Sequence, residues 1–338
     1  MKLRDLITAP RAAIIASALM FGAAAASAQT ELKLATFVPP NYVLHEPVFE
    51  KFAADVAEAT NGSVTIKIYP SGELGQGPAE QYQRAVRGIA ELSFGLQGYT
   101  SPVFPKNLLV ELPGIAEDGA AATSKVWALM DEHFRDEYKQ TVPLAVGVTA
   151  PTVIMSASKP IRTPQDLEGL KMRVPSKAIA AAVEAYGATP VLMPANNVYT
   201  AMSTGVVDGA FMGADSLLIF KTAEVTDYVT TNLPLMVNLI FIVMNEDAWD
   251  GLTDEERAAI EKLSGETLSQ QITKGLKEFG EKALDIFVKT EGKEVIELTP
   301  EARAEFDRLS NVAIESVVSE MESSGVDARS ILADIRER

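Results

Sequence analysis

Arg173 is the residue whose neighbours place it best for chemistry. It interrupts the apolar run Leu170-Lys171-Met172-Arg173-Val174, which Pro175-Ser176 closes. If Met172 and Val174 face a core, strand alternation turns Lys171 and Arg173 the other way, towards a strand end where α/β sheets bind ligands. A guanidinium fork gives two parallel charged hydrogen bonds to one carboxylate, which makes arginine the residue suited to a planar anion. Spacing alone leaves a second reading open, that of a solvated arginine on an exposed strand.

Other chemistries lack their usual parts. With no cysteine, thiolate catalysis, Cys-ligated zinc, iron–sulfur centres and disulfides are excluded. His45 and His133 are the two histidines, far apart in sequence, and each reads as structural or surface-lying. Gly72, Gly75 and Gly77 fall in GELGQG before Pro78, without the Walker lysine or the GxGxxG order, so they read as a turn. Asp254, Glu255, Glu256 and Glu301 belong to helix first turns, where the macrodipole accounts for them. No catalytic residue, metal ligand or cofactor is expected.

The elements that would position Arg173 follow from the apolar periods. Leu32 to Phe37 reads as a buried strand, followed after Pro39-Pro40-Asn41 by a helix from Glu46 carrying Val48, Phe49, Phe52 and Val56. Strand Val64 to Tyr69, helix Gln81 to Val86 and strand Glu91 to Leu96 complete an alternation that predicts a parallel sheet covered by helices. A helix over 124–138 and a strand over 142–148 extend it. A second α/β unit starts near Thr152, with Thr163-Pro164-Gln165-Asp166 as a capped helix start. Strand 170–174, helix 177–186, strand 189–192, helix 197–203 and strand 207–211 follow. Leu239 to Met244 reads as a buried central strand. From the capping box Thr253-Asp254-Glu255-Glu256, one helix is predicted to about Lys289, roughly 55 Å long and able to bridge two lobes. A short strand near Val295 and a helix from Pro300 to about Ser323 end the chain.

The 338 residues carry 30 basic and 46 acidic side chains, a formal net charge of −16, and so make nucleic acid and anionic lipid improbable partners. Lys2, Arg4 and Arg11 precede an apolar stretch from Ala12 to Ala25, and Ala26-Ser27-Ala28 gives the small-x-small pattern of a signal-peptide cleavage site. Residues 1–28 are therefore expected to be a signal peptide, with a mature start at Gln29 in the periplasm.

Taken together, several stretches resemble the solute-binding proteins of tripartite ATP-independent periplasmic (TRAP) transporters, the dicarboxylate-type, DctP-like family. The opening LKLATFVPPNYVLHEPVFEKFAADVAEATNGSVTIKIYPSGELG is followed in order by GIAELSFGLQGYT, KPIRTPQDLEGLKMRVP, VYTAMSTGVVDGA and VMNEDAWDGLTDEERAAIE. Of these, PxDLxGLKxRVP is the most specific. The resemblance implies a two-lobed periplasmic binding protein (type II-like), α/β in class, with a hinge and a long lobe-bridging helix. Residues 29–150 plus about 240–278 would form lobe I, and residues 151–239 plus about 279–338 lobe II. The family's carboxylate clamp falls on Arg173. Further substrate-binding positions fall on Phe37, Leu96, Gln97, Tyr99, Val153, Asn197, Tyr199 and Met212, and the YxAxxxGxVDG segment on Tyr199, Met202, Gly205 and Asp208, although Val-Asp-Gly is also a good turn. Sialic-acid-type members carry a second arginine where Val153 stands here and an asparagine near Phe211-Met212-Gly213. An acidic residue common before the tyrosine is replaced by Asn197. Those departures imply a small, fairly apolar monocarboxylate or oxo-acid. The partners implied are the small and large TRAP permease membrane subunits, with the chain monomeric and not an enzyme. A non-carboxylate ligand (an amine or neutral solute), an exported hydrolase and an adhesion module are the competing readings.

Overall fold

A computed structural model describes residues 29–338, so the expected leader lies outside the described residues. Among them the chain lays down β1 (Thr30–Ala35), β2 (Val64–Tyr69), β3 (Leu92–Leu96), β4 (Thr141–Val148), β5 (Thr152–Ser156), β6 (Lys171–Val174), β7 (Thr189–Leu192), β8 (Gly209–Gly213), β9 (Tyr228–Thr231), β10 (Leu239–Asn245) and β11 (Glu294–Glu297). They form two sheets, ordered β2-β1-β3-β10-β4 and β11-β9-β5-β8-β6-β7. Each sheet is packed with helices into one lobe.

The first sheet corrects the all-parallel expectation. Strand β1 runs parallel to β2 and β3, but β10 is antiparallel to both β3 and β4. The chain re-enters this sheet from the other lobe, so β10 arrives from the opposite end. All seven residues of β10 are buried, which explains why its sequence is a continuous apolar run rather than an alternation. Strand β8 begins and ends two residues later than its sequence pattern suggested, and the short β9 and the helix Ser216–Ile219 were not anticipated.

Two backbone segments cross between the sheets side by side, 149–151 after β4 and 232–238 before β10. They are cross-tied: the Thr149 N–H donates to the Asn238 carbonyl at 3.0 Å, and the Asn238 N–H to Thr149 Oγ1 at 3.0 Å. Beyond them the Thr152 N–H meets the Met236 carbonyl at 2.8 Å. A third connection is the helix Gly265–Phe287. Its Leu268, Ile272 and Leu276 enter the core around β1 and β10, while Ala283 and Phe287 enter a core of the second lobe with Met155 and Met212.

That helix is shorter than the single element predicted. The chain breaks at Ser264, whose backbone is extended, and at Gly265, whose φ of 71° is left-handed, so two helices replace one: Asp254–Leu263 and Gly265–Phe287. At 1.5 Å per residue the second is about 35 Å long, which still reaches both lobes. The capping box forms as the sequence predicts, with Thr253 and Glu256 satisfying each other's backbone N–H groups.

The last helix, Ala328–Glu337, buries Ile331, Leu332 and Ile335 against Phe104, Val126 and Phe134. By packing it joins the first lobe, although its place at the chain end had put it with the second. Lys125 Nζ, donating to the Ile335 carbonyl at 2.8 Å, and His133, sharing a 2.7 Å hydrogen bond with Asp334, hold it there.

Candidate functional site

Between the two sheets lies a cavity lined by residues of both lobes. Only about 40 Å³ is wide enough for the centre of a water molecule, so the walls stand close together.

Arg173 enters from β6, flanked by β7 and β8, opposite Val191 and Ala210. Its neighbours Met172 and Val174 are fully buried in the second lobe's core, and alternation turns Arg173 away from that core into the cavity. It is only 2% exposed. Nε donates to the Met193 carbonyl at 2.9 Å and Nη1 to the Phe211 carbonyl at 3.4 Å, whereas Nη2 has no partner. Burial lowers its pKa, and the neighbouring Tyr99 phenol pulls the other way. A guanidinium holds its proton regardless. The solvated-strand reading of Arg173 therefore fails: this is a buried cation, steadied by two carbonyls, with a donor left over for an anion.

The opposing wall comes from the first lobe. Phe37 follows β1 and stacks on Phe94 with ring centres 6.0 Å apart, while Tyr99 stands edge-on to Phe37 at 6.2 Å. The loop carrying Phe37 is fixed locally, the Val38 N–H donating to Thr36 Oγ1 at 3.0 Å. Tyr99 accepts a 2.9 Å hydrogen bond from the Ala195 N–H, so it touches both lobes. Leu96 and Ile240, register partners across β3 and β10, complete an apolar floor.

Of the nine positions expected from the sequence, the structure brings five together around this cavity: Phe37, Leu96, Tyr99, Arg173 and Met212. Four are corrections. Gln97 follows Leu96 and points the opposite way, donating to Tyr138 Oη at 2.5 Å inside the first lobe. Val153 is buried and lies with Leu284 of the long helix around a separate recess. Asn197 and Tyr199 are exposed, because the helix Val198–Ser203 turns Val198, Ala201 and Met202 inward and leaves its neighbours outside. Tyr199 donates to Glu224 Oε2 at 3.2 Å. Met202 is core, Gly205 occupies a left-handed turn, and Asp208 Oδ2 accepts the Lys171 N–H at 2.8 Å, the turn role that was its competing reading.

Among the cavity residues that the sequence reading missed are three with polar side chains that bear on the site, Tyr42, Asn238 and Asp215. Asp215 had a signal. Had β8 been read through Gly213, Asp215 would have fallen just past the end of the strand that pairs with Arg173's own. It is 5% exposed, its Oδ1 has no partner, and burial pushes its pKa up to about 7 against the backbone N–H groups of Asp215 and Ser216. Burial also raises the Tyr42 phenol well above its usual range, with Asp215 adding to the effect.

This arrangement, a single buried cation facing aromatic rings across a hinge, is one that captures an organic anion. Residues 34–321 match the family described as bacterial extracellular solute-binding protein, family 7. The chain belongs to that family. This solute-binding protein is 30% identical over 306 residues to the C4-dicarboxylate-binding periplasmic protein DctP of Rhodobacter capsulatus, an alignment covering 83% of this chain and 88% of that one. Its fold matches a marine metagenome TRAP solute-binding protein specific for aromatic acid ligands, solved with metahydroxyphenylacetate, at a TM-score of 0.87 and 25% identity, covering 91% of this chain and 98% of the other. It also matches a Rhodoferax ferrireducens TRAP protein solved with copurified benzoate, at a TM-score of 0.84 and 27% identity, covering 91% and 97%. It is thus a TRAP solute-binding protein with the two-lobed fold of that group. The relatives are binding proteins rather than enzymes, and no helix among the described residues is long and apolar enough to cross a membrane.

Proposed function

We propose that this protein captures a small monocarboxylate with an aromatic or comparably apolar body, in the periplasm, and delivers it as a monomer to the small and large TRAP permease subunits. The observation that carries the reading is the unpartnered Nη2 of Arg173 inside an aromatic-lined cavity. A carboxylate there satisfies the spare donor and neutralises a buried charge, and the apolar walls strengthen the pairing by excluding water. The benzoate and hydroxyphenylacetate held by the two structural neighbours have this shape. A second carboxylate is disfavoured, because Arg173 is the one cationic residue lining the cavity among the described residues, and Asp215 occupies the same wall.

Lobe closure about segments 149–151 and 232–238 supplies the capture step, since a ligand shifts that equilibrium only by binding the closed arrangement better. A thermal-shift screen tests the assignment with benzoate, 3-hydroxyphenylacetate, succinate, glucuronate and an amine without a carboxylate such as putrescine, followed by calorimetric titration of the hits. Aromatic acids should raise Tm most. Stabilisation by the amine alone, or by none of the carboxylates, would overturn the carboxylate reading.

A further inference from the structure

Two buried polar atoms on this cavity's walls lack partners, Arg173 Nη2 and Asp215 Oδ1. They form no ion pair with each other among the described residues. The geometry explains why. Strands β6 and β8 run parallel with Arg173 opposite Ala210, and the guanidinium rests on the Phe211 carbonyl, whereas Asp215 lies beyond the end of β8. The two charges therefore sit at different places along the cavity. A ligand carboxylate satisfies the arginine and leaves Asp215 Oδ1 without a partner.

Ionised, as it is above a pH of about 7, the Asp215 carboxylate accepts hydrogen bonds and gives none, so what completes it is a donor. The structure assigns Asp215, on the carboxylate-binding reading proposed above, as the second polar anchor of the site, taking a hydrogen bond from a hydroxyl group carried on the ligand away from its carboxylate. The preferred substrates are then hydroxylated aromatic acids rather than plain ones. The packing around the aspartate shows a built position rather than a loop residue free to turn out. A Cβ at Gly213 would lie 2.3 Å from Asp215 Oδ1 and 3.0 Å from the Ala150 carbonyl, so glycine is needed for the carboxylate to sit where it does. On the other side a Cβ at Gly280, on the long helix, would come within 3.2 Å of the Asp215 backbone nitrogen. Gly213 thus makes room for the acidic side chain, and Gly280 lets the long helix pack against the backbone that carries it. Leaving its acceptor empty carries the full cost of a desolvated polar group, so an acid without a hydroxyl forfeits that interaction.

Calorimetric titration of the full mature chain with benzoate, 3-hydroxybenzoate, 4-hydroxybenzoate and 3-methoxybenzoate tests this. At least one hydroxylated acid should bind about tenfold or more tighter than benzoate, as expected for a hydrogen bond to a charged group, and methylating that hydroxyl should remove the gain. In Asp215→Leu the hydroxyl preference should vanish, the hydroxylated acids binding no tighter than benzoate does to the same variant. Asp215→Asn, which keeps the shape and an acceptor oxygen, should retain part of the preference and guards against misfolding of the leucine variant. If benzoate binds but no hydroxylated acid is preferred, or if both variants keep the full preference, the assignment of Asp215 is overturned while the carboxylate reading stands. If none of the four acids binds the parent, the carboxylate reading itself falls, and Asp215's role with it.

Discussion

The two walls of the cavity are built differently. The first lobe contributes rings and branched chains, Phe37, Tyr42, Tyr99, Leu96 and Ile240, held against one another and against Phe94. The second contributes the charges, Arg173 from β6 and Asp215 from the turn after β8, beside that lobe's packed core. One wall measures shape and excludes water; the other reads polar groups in the low-dielectric space so made. Selectivity within such a site is set on the polar wall, because a few buried donors and acceptors discriminate more sharply than apolar surface does.

The largest expected effect therefore comes from emptying the polar wall. Truncating Arg173 leaves a desolvated ligand carboxylate unpaired, a loss of about 2–5 kcal/mol, or roughly 30-fold to several thousand-fold in affinity. Arg173→Lys keeps the charge without the fork and should recover only part of it. Arg173→Ala should fold normally, since the side chain faces the cavity and not the core. Titration of an aromatic acid against these variants is the measurement. Parent-like affinity for Arg173→Ala would reduce the arginine to a strand residue and dissolve the contrast between the walls.

A smaller effect should come from the tie between the walls. Glu111, fully buried, belongs to the turn Asn107–Glu111 of the first lobe. Its Oε2 accepts the hydroxyl of Ser176 at 2.5 Å, the residue that caps the helix after Arg173's strand, and Oε1 accepts the Leu239 N–H at 2.8 Å where the chain re-enters β10. Burial pushes its pKa up to about 7, with those hydrogen bonds and that of Asn238 opposing. A raised carboxyl means that the folded protein holds a proton which the unfolded chain has released. The resulting stability is complete below the ordinary carboxylate pKa and is lost as pH rises towards 7, at up to about 1.4 kcal/mol per pH unit. Glu111→Gln, which mimics the protonated form, should flatten the decline in Tm between pH 5 and 7.5 without abolishing it, because Asp215 and Glu137 are shifted in the same direction. An unchanged slope would mean that Glu111 does not titrate in that window and does not couple the lobes through its charge state.

How much of this was legible in the sequence follows the same division. Strand and helix periods located nine of the eleven strands, because burial imposes period 2 or a continuous apolar run wherever a sheet is covered. Arg173 stood out as a charge inside such a run. Gln97 was mistaken because its neighbour Leu96 faces the cavity, and adjacent residues at the end of a strand face opposite ways. Tyr42, Asn238 and Asp215 lie outside periodic elements, in a loop, a crossing segment and a strand-end turn, where no period reports which way a side chain points. The antiparallel β10 and the break at Gly265 depended on a return between lobes and on one backbone torsion, which local patterns do not encode.

The smallest expected effect lies outside both walls. Asn197 and Tyr199, expected from the family resemblance to meet the ligand, are here solvent-facing, Tyr199 being 36% exposed and tied to Glu224 on the surface. Asn197 flanks the helix Val198–Ser203 without a side-chain capping bond, so its side chain is not what holds the helix. Surface substitutions of this kind usually stay within about 0.5 kcal/mol. Asn197→Ala and Tyr199→Phe should therefore bind an aromatic acid within about twofold of the parent and melt at the same temperature. A tenfold loss in either variant would show that helix Val198–Ser203 rolls its outer face onto the ligand when the lobes close, giving the cavity a third wall. The phase of the helix argues against that roll: bringing Tyr199 inward would expose Val198, Ala201 and Met202, which now fill the second lobe's core beside Met212.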